Sequence, residues 1–379
     1  MKCNPFHLET NRKIRTNMKK ILILANSASG LYDFRNELII SLLEQYEVHI
    51  ALPDAEKVPE LAKEGCIIHH TPIDRRGVNP KTDWKLMKQY KEIMKQVKPD
   101  CVLTYTIKPN IYGNLCCRQL KIPYLVNITG LGSAFENGGL IQKLVVFLYR
   151  AALKKANCIF FQNDTNRAIF EEFGIRGKHS RLVPGSGVNL DRHAFEEYPS
   201  KEEKPVLLYV GRIMKEKGAD ELFYAAKKIK QEYPDVQFEL VGYYEDDYKE
   251  LVEQYEKEGI LKLTSYQKEI HPYYKRAAAV IMPSYHEGMS NVILEAGATG
   301  RPVLASRIPG CMEGFEEGKT GIGFEARNPE ALYQAIRRFL QLSYEERKEM
   351  GQNARIKMER DFDRKKVVAA YREEIEKAI

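Results

Sequence analysis

The sequence predicts an α/β protein made of two doubly wound domains in tandem. Three observations predict it. Short apolar runs alternate with helical patterns along almost the whole chain, as parallel strands joined by crossover helices do. The alternation breaks at Pro184-Gly185-Ser186-Gly187 and resumes only after a polar stretch ending at Pro205. The 379 residues suffice for two domains of ordinary size.

In order, the apolar runs at 20–25, 48–52, 66–70, 101–104, 124–128, 158–162 and 181–184 read as strands of the first domain. Between them, helical spacing appears at 35–45, 84–97, 110–120, 140–155 and 165–173. After the break, strands fall at 206–210, 237–241, 280–282 and 302–306. Helices fall at 220–232, 247–258, 291–299, 329–340, 344–360 and 364–379. The expected organisation is a basic extension (1–17), a first domain (18–187), a second domain (188–360) and a terminal segment (361–379) packing back on the first. Residues 1–17 lack the apolar core of a secretory signal and read as a loose end rather than a lipid tether.

Composition excludes several classes. At 44% hydrophobic and 29% charged residues, the chain is neither disordered nor fibrous. No apolar run, 144–149 included, is longer than 6 residues, far below the ~20 a membrane-spanning helix needs. The seven cysteines are odd in number and include no Cys-x-x-Cys, which argues against a disulfide framework or structural zinc. Free thiols imply a reducing compartment, hence the cytoplasm. The net charge of +7 is uneven: residues 1–190 hold 28 Lys+Arg against 17 Asp+Glu, and residues 191–379 hold 31 against 35. The first half is therefore the one expected to meet an anionic partner.

Two strand–loop–helix junctions in the second half concentrate chemistry. The first reads Gly211-Arg212-Ile213-Met214-Lys215-Glu216-Lys217-Gly218. Gly211 permits a sharp turn, and Arg212 and Lys217 present a planar fork and a mobile point charge, both suited to phosphate. The second runs from Pro283 to Glu295, with Glu287, Gly288 and Met289 in the loop and Ser290 as N-cap of a helix opening at Asn291. The unpaired N–H groups of a first helical turn suit a diphosphate. Glu287 and Glu295 can each accept two hydrogen bonds from sugar hydroxyls or a ribose diol. Read alone, each glutamate is an ordinary surface charge; paired acids beside paired cations are less ordinary. His286 reads as a satisfied loop histidine rather than a base.

With those residues quoted, Gly-Arg-x4-Lys-Gly followed by Glu-x7-Glu resembles glycosyltransferase family 4, retaining enzymes of GT-B architecture. The resemblance spans Met18 to the last helix. Thr106-Ile107-Lys108-Pro109-Asn110 and Thr129-Gly130-Leu131-Gly132 resemble the bacterial branch extending undecaprenyl-diphosphate-linked saccharides for capsule, O-antigen or glycan. It implies two Rossmann-like domains facing across a cleft and a UDP-sugar donor. Arg212 and Lys217 would grip the diphosphate and Glu287 the transferred sugar, helped by main-chain N–H groups of Gly288, Met289 and Ser290. Glu295 would hold the ribose, and Tyr266 and Gln267, after a short strand, would border the base. Ser29 and Gly30, in a Ser27-Ala28-Ser29-Gly30 loop, would approach from the first domain, and Lys108, Asn110, Thr129 and Gly130 would face the acceptor. No metal or other cofactor is expected, because two cations do its work; Asp361-Phe362-Asp363 reads as a helix cap at Asp363. One departure is that the family's acceptor-loop histidine is missing from 127–132.

The basic half has two candidate stripes: Lys81, Lys85, Lys88 and Lys95 beside Trp84, and Lys143, Arg150 and Lys154 beside Leu140, Leu144, Phe147 and Leu148. Each fits a core helix with a solvated edge, or a helix lying on an anionic membrane. The second use matches a membrane-linked acceptor and places the protein on the inner face of the cytoplasmic membrane. Nucleic acid is not an expected partner, since no recognition module accompanies the charge. Two alternatives to transfer remain: epimerisation or hydrolysis of the UDP-sugar, and a non-catalytic sugar-nucleotide-binding subunit of a polysaccharide assembly complex.

Overall fold

The computed structural model describes residues 18–53, 56–74, 79–130, 139–244 and 248–379. The expected extension at 1–17, and Leu131 and Gly132 of the acceptor loop, lie outside the described residues.

The chain forms two units, one running through Val183 and regaining Val367–Ile379, the other spanning Pro184–Lys366. In the first, β1 (Lys20–Leu24), β2 (Glu47–Leu52), β3 (Ile67–His70), β4 (Cys101–Tyr105), β5 (Tyr124–Ile128), β6 (Cys158–Phe161) and β7 (Ser180–Leu182) form one parallel sheet. Its order is β3-β2-β1-β4-β5-β6-β7. Connections are α1 (Ala28–Leu43), α2 (Val58–Glu64), α3 (Pro80–Val97), a π-helical turn (Pro109–Gly113) leading into α4 (Asn114–Leu120), α5 (Gly139–Leu153) and α6 (Asp164–Glu172). Buried on both faces, the central strands are mainly apolar, with Thr104 in β4 and Asn127 in β5 as buried polar exceptions. Ile21, Ile23 and Leu103 point to α1, while Leu22, Leu24 and Val102 point to the α3–α5 layer.

The second unit repeats the plan. Strands β8 (Val206–Val210), β9 (Gln237–Val241), β10 (Leu261–Thr264), β11 (Ala279–Met282), β12 (Val303–Ser306) and β13 (Gly321–Phe324) pair in parallel in the order β10-β9-β8-β11-β12-β13. The helices are α7 (Ala219–Glu232), α8 (Lys249–Lys257), α9 (His271–Arg276), α10 (Asn291–Ala298), α11 (Pro329–Gln341) and α12 (Tyr344–Asp361), with α13 (Arg364–Ala378) following. In both sheets the strand order reverses once, between β1 and β4 and between β8 and β11. Such a reversal opens a crevice at the carboxyl ends of the strands.

Where the chain leaves the first unit, Val188 donates its N–H to Phe362 and accepts from Arg364. That pairing draws 184–187 into the second unit, so the break stands at Pro184 rather than after 187. The terminal helix α13 buries Val367, Ala370, Tyr371 and Ile375 in the first unit's core, and Tyr371 stacks on Phe160 at 4.1 Å.

Several elements differ from the sequence reading, four of them instructively. Helix α1 begins at Ala28, seven residues before the expected start, because Ser27 caps it by accepting the Gly30 N–H at 3.1 Å. Helices α2 and α9, of 7 and 6 residues, are too short to show a helical period. Strand β13 reads Gly-Ile-Gly-Phe, and its two glycines hide it from any propensity argument.

Candidate active site

In the second unit two loops meet where β8 and β11 diverge. After β8, the Tyr209 hydroxyl donates to the Arg212 carbonyl at 2.6 Å, and a 3-10 turn over Lys215–Lys217 follows. Gly218 then takes φ +73, and a Cβ there would lie 2.2 Å from the Pro283 carbonyl oxygen. Only glycine lets the first loop press so closely on the second. From the other side Gly310, at φ +85, lies so close that a Cβ would be 2.4 Å from the Glu287 carbonyl oxygen. The result is an ion pair: Lys217 Nζ donates to Glu287 Oε1 at 2.6 Å, both side chains partly buried. The Tyr285 hydroxyl anchors the same loop by donating to the Glu221 carboxylate at 2.8 Å and 3.0 Å.

Helix α10 carries the second carboxylate. Ser290 caps the helix, accepting from the Ile293 N–H at 3.5 Å. Glu295 lies in its second turn, where the Tyr274 hydroxyl of α9 donates to Oε2 at 2.8 Å. On the other side, His193 Nε2 stands 4.0 Å from Oε1. Burial, then the charges of Arg192, His271 and Arg364, push the His193 imidazole from 6.5 down to about 3, so it is neutral at pH 7. Burial, then the Glu295 charge, holds the Tyr274 phenol well above its ordinary range, so it stays a donor.

In the first unit a cavity of ≈ 260 Å³ opens beside the β4 and β5 ends, lined by Asn26, Ile73, Thr106, Ile107, Lys108, Asn110, Thr129, Gly130 and Tyr149. Thr106 adopts φ +71, unusual for a side chain with a branched Cβ, and its buried hydroxyl has no protein partner. Asn110, 1% exposed, donates its amide to the Asn127 carbonyl at 2.8 Å, leaving its own buried oxygen without a protein donor. Lys108 Nζ is held by Asp83 at 2.7 Å, and Tyr112 donates to the second Asp83 oxygen at 2.9 Å.

Gly211, Arg212, Lys217, Glu287, Gly288, Met289, Ser290, Asn291 and Glu295 thus share one switch point, and Lys108, Asn110, Thr129 and Gly130 line one cavity. Two expectations are corrected. Ser29 and Gly30 are in the first turn of α1, not in a loop, and the Gly30 N–H is spent on Ser27. The Ser290 N–H donates to the Gly310 carbonyl at 2.8 Å, so it is not available to a sugar. Tyr266 and Gln267 follow β10, the short strand expected before them; the Tyr266 ring is exposed and the Gln267 amide donates to the Ser265 carbonyl at 3.2 Å. His193, Tyr274, Tyr285, Asp83 and Thr106 went unread as site residues, because each acquires its place through a partner remote in sequence or through an unusual backbone angle.

Among the described residues, Cys158, His179 and Glu374 bring metal-ligating atoms within 4.8 Å of one another. Glu374 already pairs with Arg181 and Lys377, each at 3.2 Å, and those cations oppose a metal ion there. Asp361 pairs with Lys357 and Arg360, and Asp363 accepts the Lys365 N–H at 2.9 Å as a helix cap does.

Comparison with known proteins agrees with this layout. The model for the family "Glycosyl transferase 4-like" matches residues 20–163, and that for "Glycosyl transferases group 1" matches 191–357. The chain is 25% identical to the N,N'-diacetylbacillosaminyl-diphospho-undecaprenol alpha-1,3-N-acetylgalactosaminyltransferase of Campylobacter jejuni, covering 84% of this chain and 88% of that one. It is 26% identical to the UDP-Gal:alpha-D-GlcNAc-diphosphoundecaprenol alpha-1,3-galactosyltransferase of Escherichia coli, over 70% and 73% of the two chains. Among solved structures, Anabaena Alr3699/HepE with UDP-glucose superposes with a TM-score of 0.77 at 19% identity, covering 94% of this chain and 99% of that one.

Proposed function

This chain belongs to the GT-B glycosyltransferases, its first unit of the 4-like kind and its second of group 1, and from that premise we propose its reaction. It moves a hexose or N-acetylhexosamine from a UDP-sugar to a lipid-diphosphate-linked saccharide, with retention at the anomeric carbon, in cell-surface polysaccharide or glycan synthesis. The observation that carries this reading is the Lys217–Glu287 pair at 2.6 Å beside the first turn of α10, with Glu295 further along the same helix.

In this reading the donor diphosphate takes the Lys217 ammonium and the Arg212 fork. As the bond from the anomeric carbon to the phosphate oxygen breaks, both cations stabilise the charge growing on the departing UDP. Glu287, released from Lys217, accepts hydrogen bonds from the transferred sugar, and Glu295 holds the ribose. The acceptor hydroxyl bonds to the anomeric carbon on the face UDP leaves, and its proton passes to the departing phosphate oxygen. Arg212 and Lys217 supply the positive charge a divalent ion would bring, so transfer needs no metal. The cavity at Asn110 and Thr129 takes the acceptor saccharide.

Such an acceptor is anchored in a membrane, and α5 suits an anionic one. It turns Val145, Val146, Tyr149 and Leu153 to the core and leaves Leu140 and Phe147 83% and 65% exposed, with Lys143, Arg150 and Lys154 also outward. In a parallel sheet the crossover helices begin at the carboxyl ends of the strands, so α3 and α5 start on the edge where the cavity opens. The enzyme works there at the inner face of the cytoplasmic membrane.

The test is a screen of radiolabelled UDP-sugars against undecaprenyl-diphosphate-linked acceptors in the presence of a chelator, with product anomericity read by NMR. Acceptor-dependent transfer with an unchanged anomer is expected, and Arg212→Ala or Lys217→Ala should lower it about 100-fold or more. Full-rate turnover of the UDP-sugar without acceptor would instead identify an epimerase or hydrolase, and binding without turnover a non-catalytic subunit.

A further inference from the structure

Glu295 stands between two side chains that the reaction as described above leaves unused. Tyr274 is fully buried on α9, a helix of only 6 residues, and its hydroxyl reaches Glu295 Oε2 at 2.8 Å. So short a helix cannot hold a side chain in place by its own hydrogen bonds. Arg301, itself fully buried, does it instead: Nε donates to the Tyr274 carbonyl at 3.0 Å and Nη2 to that of Lys275 at 2.8 Å. The same guanidinium donates to the carbonyls of Glu196 and Glu197 at 2.9 Å and 2.7 Å, tying α9 to the strap before β8. Opposite Tyr274, His193 is 4% exposed and lies edge-on to the phenol ring at 6.1 Å.

We infer that Tyr274 is a positioning residue: its hydroxyl fixes the Glu295 carboxylate in the orientation that receives the ribose diol of the donor. This assignment rests on the ribose-holding role proposed above for Glu295. A free glutamate loses rotamer entropy when a ligand orders it, and a carboxylate already held loses less. A carboxylate has about four lone-pair sites, so a single phenol donor does not by itself fill those that a diol needs. A phenol also removes no charge from Glu295, unlike an ammonium in the same place.

The experiment compares UDP with 2′,3′-dideoxy-UDP by calorimetry on the full-length wild type, Tyr274→Phe and Glu295→Gln. Tyr274→Phe keeps the ring and its packing, and its thermal melt is recorded alongside. The wild type should prefer UDP, and Tyr274→Phe should lose about tenfold of that preference by weakening UDP while leaving the dideoxy nucleotide unchanged. Equal weakening of both nucleotides would show a general structural effect and overturn the inference. Unchanged preference in Tyr274→Phe with lost preference in Glu295→Gln would overturn the inference alone. Preference retained in Glu295→Gln would overturn the role of Glu295 and the inference with it.

Discussion

Lys217 and Glu287 are each other's partner at 2.6 Å, so an anion that takes the ammonium must also release the carboxylate. The exchange has a measurable consequence. Glu287→Gln should bind UDP about fivefold tighter, since a partly exposed ion pair is worth about 1 kcal/mol, while sugar transfer falls. Tighter transfer-competent binding with undiminished turnover would contradict the role given to Glu287. His193 supplies a second residue-level prediction. Its folded pKa of about 3 lies below the unfolded 6.5, so as pH falls through 6.5 the unfolded chain binds the proton first. Stability should therefore decline from about pH 6.5 towards 3, with a slope approaching ~1.4 kcal/mol per pH unit from this group. Melts of His193→Gln should show a flatter decline over that window. Arg212, Lys217, Glu287 and Glu295 were legible because each belongs to a local strand–loop–helix pattern. Tyr274 was not, since its meaning depends on a carboxylate 21 residues away on another helix.

Among the elements, α5 shows most clearly what pattern reading leaves open. Its sequence fits both a core helix and a surface helix, and the fold uses both faces: Val145, Val146 and Tyr149 pack inward while Leu140, Ile141, Leu144 and Phe147 remain outside. Arg150 is also tied to the C-terminal end of α6, its Nε donating to the Phe173 carbonyl at 2.6 Å. On α3, Trp84 is 60% exposed, with the Lys88 ammonium 6.0 Å from its ring centroid. Binding to anionic vesicles should weaken as salt rises, at about 1 kcal/mol per cation near the surface. Leu140→Ser with Phe147→Ser should reduce that binding and leave the melting temperature unchanged, because neither side chain is in the core. Salt-independent sedimentation, or none, would remove α5 from this role. The short helices α2 and α9 and the glycine-bearing β13 escaped notice for the opposite reason: too little sequence, or the wrong residues, to carry a period.

At the scale of the whole molecule, the first unit is completed by residues that follow the second unit in the chain. Val367, Ala370, Tyr371 and Ile375 enter the core beside Ile23, Leu103 and Phe160, and the Tyr371 hydroxyl donates to Asn127 Oδ1. A fragment of residues 18–183 should therefore lack a cooperative melt, whereas 184–366 should unfold cooperatively. Addition of a peptide covering 364–379 should restore structure to the first fragment, as seen by circular dichroism; a stable 18–183 alone would contradict this account. By itself the sequence determined the two parallel sheets, their crossover helices and the loops holding the cations and carboxylates, since hydrophobic period and cap chemistry act between residues close in the chain. Only the tertiary structure decided which N–H groups are already spent and which side chains brace Glu295. Those outcomes depend on groups distant in sequence brought within hydrogen-bonding or packing range, which no local pattern encodes.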